Sequence, residues 1–163
     1  MVGSFQRGAR VVALMAVVVL VASACSKEST PTAPIYDVFG QQFKFHGMPT
    51  SIPSGNLQIN FSNKESFPIT HEMIVKALPS GDTAQDIIDS AKVPGCEGGG
   101  ECETQYLAFG EIAGVDTGAT LSQVFYLPAG EYFFACWETG TQSGEENGPP
   151  HASKGMVFTF TVT

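Results

Sequence analysis

The sequence predicts an all-β fold, a Greek-key sandwich or barrel of about seven to eight short strands with one short helix. Three observations carry this. Gly (18), Pro (10) and Phe (12) are plentiful while only 15% of the 163 residues are charged, a balance that suits strands and tight turns better than a helical bundle. Several short runs place apolar residues at every second position, the period of a half-buried strand. Clusters of turn-forming residues separate those runs.

The chain opens with a segment that belongs to targeting rather than to the fold. Arg7 and Arg10 precede an apolar run from Val11 to Ala22, followed by Ser23-Ala24-Cys25. A basic start, an apolar stretch too short to span a bilayer and a small-residue cleavage site make residues 1–24 an export signal. Ala22-Ser23-Ala24-Cys25 resembles a bacterial lipoprotein processing box, which implies lipidation of Cys25 and a membrane anchor. Residues 25–34 are rich in Ser, Thr, Pro and Ala; they cannot build a core and read as a flexible tether. The domain proper is then 35–163.

Within it, Val38 to His46 is an extended segment carrying Phe39, Phe43 and Phe45. Asn56 to Phe61 alternates polar and apolar over its whole length. Ser62 to Ser66 is a turn cluster, and His71 to Leu78 returns as a strand. Thr83 to Ala91 is the helix: Ile87, Ile88 and Ala91 share a face, and Asp82 or Thr83 can cap it. Pro94 to Cys102 reads as a loop, Leu121 to Leu127 as a strand, Pro128-Ala129-Gly130 as a turn and Glu131 to Trp137 as another strand. A polar loop over Thr139 to Pro150 leads to a closing strand within Gly155 to Val162.

Charge excludes one class of function. Sixteen acidic residues face eight basic ones, a net charge of −8. Loss of the signal removes both arginines and makes the imbalance larger. Nucleic-acid binding needs clustered Lys and Arg and is not expected. The balance instead favours a basic partner.

The cysteines sort by position. Cys96 and Cys102 flank Glu97-Gly98-Gly99-Gly100-Glu101, a span flexible enough for the tight closure a disulfide needs. A metal clamp by both thiolates with Glu97, Glu101 or Glu103 is the alternative. Cys136 is then left over, at the end of a Tyr-Phe-Phe-Ala-Cys run. A buried apolar Cys is its plain explanation. Yet Pro150-His151 and Gly155-Met156 follow it before the last strand, and His71 opens an earlier one. Two His, one Cys and a weak axial Met is the donor set of a blue-copper electron-transfer site.

Three segments carry a family resemblance. Phe61-Ser62-Asn63 with Phe67-Pro68-Ile69-Thr70-His71, then Leu127-Pro128-Ala129-Gly130 through Cys136, then Pro150-His151 through Gly155-Met156 resemble the ligand segments of the cupredoxins, the plastocyanin and azurin superfamily. It is most similar to an exported bacterial branch with a long loop between Cys and the second His. The resemblance implies His71, Cys136 and His151 as equatorial ligands and Met156 as axial ligand of one type-1 copper ion. It also implies that Asn63 braces the ligand loops. One departure is plain. Plastocyanins and azurins separate Cys and His by a few residues, whereas fourteen intervene here. Closing a longer loop costs only about 0.6 kcal/mol per doubling, so the insertion threatens the rigidity of the His rather than the existence of a site.

The expectation is a single-electron carrier, monomeric, exported and lipid-anchored to a bacterial membrane with its domain facing the periplasm or cell exterior. Its partner would be another redox protein such as a basic cytochrome. A copper storage, delivery or sensing protein and a metal-free binding module are the alternatives. An enzyme is not expected, because a second copper centre would need more histidines than His46 supplies. Trp137, Phe134 and Tyr132 are candidates for the apolar shell of a site, with plain core packing as their simpler role. His46 reads as a turn residue, and Met73 as core. Glu138, Glu145 and Glu146 read as a solvated loop or as an acidic collar for a basic partner.

Overall fold

The computed structural model describes residues 32–96, 102–140 and 148–163. The export signal, Cys25, the tether as far as residue 31, Glu97, Glu101, Glu145 and Glu146 lie outside the described residues.

Alternation decides which side of each strand meets the core. In β4 (Gly55–Asn63), Leu57, Ile59 and Phe61 are fully buried while the residues between them turn outward. β4 runs parallel to β1 (Ile35–Gln41) and antiparallel to β7 (Thr120–Leu127), and β2 (Lys44–His46) completes a four-stranded sheet in the order β2-β1-β4-β7. The second sheet has five strands: β3 (Ser51–Ile52), β9 (Val157–Val162), β8 (Gly130–Ala135), β5 (Thr70–Ala77) and β6 (Ala108–Asp116), in that spatial order. The two sheets face each other across one apolar layer, as in a sandwich.

Two features depart from the sequence reading. The extended segment Val38 to His46 is two strands, joined by a two-residue turn at Gln42 and Phe43, both at φ +53°. Such hairpin turns favour Asn and Gly; here two bulkier residues hold a left-handed conformation that costs roughly 1 kcal/mol each. The other departure is β6, a strand that the sequence conceals. Gly110 and Gly114 interrupt its alternation, and both have positive φ, so the apolar positions Phe109, Ile112 and Val115 fall out of a simple period of two.

The helix α1 (Ala84–Ser90) starts as the residues dictate. Thr83 Oγ1 accepts from the backbone N–H of Asp86, and the Asp86 carboxylate accepts from the backbone N–H of Thr83 at 2.8 Å. This reciprocal cap is worth about 1 kcal/mol. Ile87 and Ala91 then pack on Ile74, Phe133, Ala135, Trp137 and Ala152, a second core on the outer face of the five-stranded sheet. Cys96 and Cys102 form a disulfide with Cα atoms 5.5 Å apart, which leaves no thiolate there for a metal clamp. Buried Lys76 donates to the Glu103 backbone carbonyl at 2.7 Å and pairs with its carboxylate at 3.2 Å, tying that loop to β5.

Strand parity also sorts the residues near Cys136. Phe134, Cys136 and Tyr132 face the inter-sheet core, whereas Phe133, Ala135 and Trp137 face α1. Trp137 therefore packs as core on the far side of the sheet, away from the thiol. Met48 and Met73 are core residues, and His46 stacks on Phe39 at 4.9 Å between ring centres. Among the described residues no helix is long and apolar enough to cross a membrane.

Candidate metal centre

His71 near the start of β5, Cys136 just past the end of β8 and His151 after the long loop converge at one end of the sandwich. All three are fully buried. The two imidazole Nδ1 atoms are 3.1 Å apart, and Cys136 Sγ lies 3.3 Å from Nδ1 of His151 and 3.7 Å from that of His71. The centre of such a triangle is about 1.9 Å from each corner, the mean edge divided by the square root of three, close to a metal–imidazole bond length.

The orientation of each ring is set on its outer side. His71 Nε2 stands 3.2 Å from Glu65 Oε1, and His151 Nε2 stands 2.8 Å from the carbonyl of Gly140. Both partners are acceptors, so each Nε2 carries the proton and each Nδ1 presents its lone pair inward. Two lone pairs and a sulfur thus point at one another in an apolar interior. Without a metal the single S–H of Cys136 can donate to only one of the two facing Nδ1 lone pairs; a metal ion satisfies all three donors at once.

The long loop does not leave His151 loose. Its backbone N–H donates to Glu138 O at 2.9 Å, Ala152 N–H donates to Cys136 O at 2.7 Å, and Met156 N–H donates to His151 O at 3.1 Å. Cys136 N–H closes the circuit on Met156 O at 3.2 Å. Residues His151–Lys154 form one 3-10 turn, ended by Gly155 at φ +101°. These bonds tie the described residues that flank the loop to one another beside Cys136.

Met156 is buried beside this centre. A Cβ added to Gly40 would meet Met156 Cε at 2.8 Å, His71 Cδ2 at 3.2 Å and Phe61 Cζ at 3.3 Å. A side chain at position 40 would require the Met156 methyl to shift and would crowd the His71 ring. Asn63 ties the surrounding loops: its Nδ2 donates to the carbonyls of Ile69 and Val115 at 2.8 and 2.9 Å, and its Oδ1 accepts from Glu65 N–H.

Burial governs the protonation of the group. It lowers the proton affinity of His71, against the pull of Glu65. It lowers that of His151 to about 4, with the charges of His71 and Lys154 adding to the effect. Burial raises the Cys136 thiol well above its ordinary value, helped by the Glu72 carboxylate. Burial likewise pushes Glu72 up to about 8, although its Oε1 accepts from Trp137 N–H at 2.6 Å. Neutral imidazoles are ready ligands, while the thiol must give up its proton to a metal.

Glu65, Glu72 and Gly40 escaped the sequence reading. Glu65 looked like part of a turn cluster, and its six-residue spacing from His71 was the only hint. Glu72 follows His71 directly; its backbone N–H donates to Cys136 Sγ at 3.4 Å, a role that any residue type but proline could fill. Gly40 carries no signal without its neighbours in space.

The sequence matches no protein-family model and no curated protein. Solved structures do match. An auracyanin from the photosynthetic bacterium Roseiflexus castenholzii aligns with a TM-score of 0.53 at 15% identity, over 81% of this chain and 98% of that one. Auracyanin B aligns at 0.54 and 21% identity, over 80% and 89%. Auracyanin A, a "blue" copper protein from the green thermophilic photosynthetic bacterium Chloroflexus aurantiacus, aligns at 0.53 and 17% identity, over 81% and 100%. This is the cupredoxin fold. Within that cupredoxin fold the buried His-Cys-His cluster fits a single copper ion, since imidazole and thiolate together suit copper.

Proposed function

We propose that the chain is an exported electron carrier that holds one type-1 copper ion between His71, Cys136, His151 and Met156. The observation that carries the proposal is the convergence of two imidazole lone pairs and one thiol on a single buried point. When bound, copper supplies a one-electron couple. The chain's own residues keep that couple fast by holding still. His71 sits on a central strand, His151 is laced by backbone bonds, and Gly40 fixes the thioether against the imidazole. Donors held in place rearrange little between oxidation states, and apolar walls exclude water.

The N-terminal signal with Cys25 supports a lipid anchor that tethers the domain to a bacterial membrane, facing the periplasm or cell exterior. A redox protein is the partner. Monomeric carriage of single electrons needs no further catalytic group, in keeping with a non-enzyme.

Titration of the full chain with Cu(II), followed by optical and electron paramagnetic resonance spectra, tests the reading. An intense visible thiolate-to-copper band with narrow copper hyperfine splitting, saturating at one equivalent, is expected. A weak tetragonal spectrum would move the assignment to storage or delivery, and no stoichiometric binding would leave a metal-free module.

A further inference from the structure

The imidazole of His151 is sealed. It is fully buried, and its outer nitrogen is spent on the carbonyl of Gly140 at 2.8 Å. An imidazole capped in this way offers no free edge to an approaching protein. Another side chain joins both imidazoles to the surface. The half-buried ring of Phe43 lies edge-on to His151 at 5.0 Å and to His71 at 5.9 Å, and it stands 6.4 Å from exposed Phe67. Its left-handed backbone, strained for an aromatic residue, sets the ring at the tip of the β1–β2 hairpin. Glu65 accepts the Phe43 backbone N–H at 3.1 Å. The carboxylate that orients His71 thus also holds the tip.

The charges around this tip differ from those of the chain as a whole. Lys154 Nζ lies 4.5 Å from the centre of the Phe43 ring. Lys64 Nζ lies 4.0 Å from the Phe39 ring at the end of β1, and Lys44 follows the turn directly. All three lysines are exposed. Among the described residues none of them has a carboxylate within 4.0 Å, whereas Lys76 and Lys92 are each paired, with Glu103 and Asp89. Of the nearby described acids, Glu65 is turned inward and hydrogen-bonded, and Glu138, whose backbone carbonyl accepts the His151 N–H, is half-buried. Asp116 lies beyond Phe67 in a surface cleft of about 440 Å³, where it accepts from the Thr70 hydroxyl.

We propose that Phe43 and Phe67, ringed by Lys44, Lys64 and Lys154, form the surface through which electrons pass, and that the partner is a one-electron redox protein with an acidic face. The proposal rests on the electron-carrier reading above. One electron crosses in each encounter. Either the partner's reduced centre is oxidised while Cu(II) becomes Cu(I), or the reverse, and no bond or proton changes hands. The overall negative charge alone favours a basic partner. At physiological ionic strength, however, fields between exposed charges fade over about 8 Å, so the lysines at the contact set the sign.

The test uses the reduced, copper-loaded full chain and hexacyanoferrate(III) as an anionic oxidant, with stopped-flow detection across a range of salt concentrations. The rate constant is expected to fall as salt rises. Lys154→Glu is expected to cut the low-salt rate about tenfold. Lys92→Glu makes the same change in net charge from the end of α1 and is expected to change the rate by less than about twofold. Phe43→Leu is expected to slow the reaction at every salt concentration with the visible band retained. A rate that rises with salt, equal effects of the two lysine variants, or an unchanged rate in Phe43→Leu overturns the proposed surface and leaves the carrier reading intact. Absence of the visible band in the unaltered chain overturns both. If Phe43→Leu fails to fold, the lysine pair decides alone.

Discussion

The two imidazoles of the centre reach the same point by different means. His71 rides on β5, a strand flanked on both sides by neighbours, and its ring is aimed by a side chain, the buried carboxylate of Glu65. His151 follows a long loop, and its ring is aimed by a backbone carbonyl, that of Gly140. The strand-borne imidazole is held by the ladders of the two neighbouring strands. The loop-borne imidazole is held by four backbone hydrogen bonds that join Glu138, Cys136, His151, Ala152 and Met156. Rigidity at a ligand therefore follows from the bonds at its own backbone rather than from the length of chain leading to it.

The largest effect removes what both rings share. Cys136→Ser is expected to abolish the visible thiolate-to-copper band while far-ultraviolet circular dichroism stays native, and Cys96→Ser is expected to keep the band. Loss of the band in both variants would show that the disulfide loop also holds the centre.

The next change separates the rings. Glu65→Gln removes the charge behind His71 and is expected to weaken Cu(II) affinity by about 10- to 100-fold, measured by competition with a chelator. On the other side Gly140→Ala leaves the carbonyl in place; at φ +80° it is expected to cost about 1 kcal/mol of stability with little change in affinity. Equal losses of affinity would mean that the two rings are held alike.

Acid distinguishes them further. The proton affinity of His151 is lowered to about 4, while Glu65 opposes the lowering at His71. A histidine depressed in the folded state stays neutral there while the unfolded chain takes up a proton. Its stabilisation is thus full above the unfolded value near 6.5 and is lost as pH falls toward 4. For His151 this amounts to about 3 kcal/mol. Glu72, raised to about 8, acts in the opposite direction as pH rises from its unfolded value. Denaturant melts of the metal-free chain from pH 7 to 4 should therefore show a slope that flattens more in His151→Asn than in His71→Asn, since Glu72 is common to both.

The last change probes the packing behind His71. Gly40→Ala places a methyl 2.8 Å from Met156 Cε and is expected to cost about 1–3 kcal/mol. A shift of the visible band should accompany it, because the thioether and the imidazole must separate. An unshifted band would mean that Met156 does not contact the ion.

Much of the architecture was legible because it is written in local periodicity. β4 alternates over its full length, and α1 begins at the Thr83 cap. The disulfide followed from a glycine-rich span short enough to close. β6 was not legible: glycines at 110 and 114 break its alternation, and its partner β5 supplies the pairing that defines it. The division of Val38 to His46 at Gln42-Phe43 was hidden as well, since neither residue type favours a left-handed turn.

The sequence by itself determined the candidate donors and their order along the chain: His71, Cys136, His151 and Met156. It also determined which strand faces they could occupy, because side chains alternate and parity is a local property. Only the tertiary structure decided that their donor atoms meet at one point, that Glu65 and Gly140 turn both Nδ1 atoms inward, and that Lys154 lies over Phe43 and Lys64 over Phe39. Those outcomes depend on distances between residues far apart in the chain, such as the 22 positions between Phe43 and Glu65 or the 80 between the two histidines. Packing of the two sheets sets such distances, and no local pattern records them.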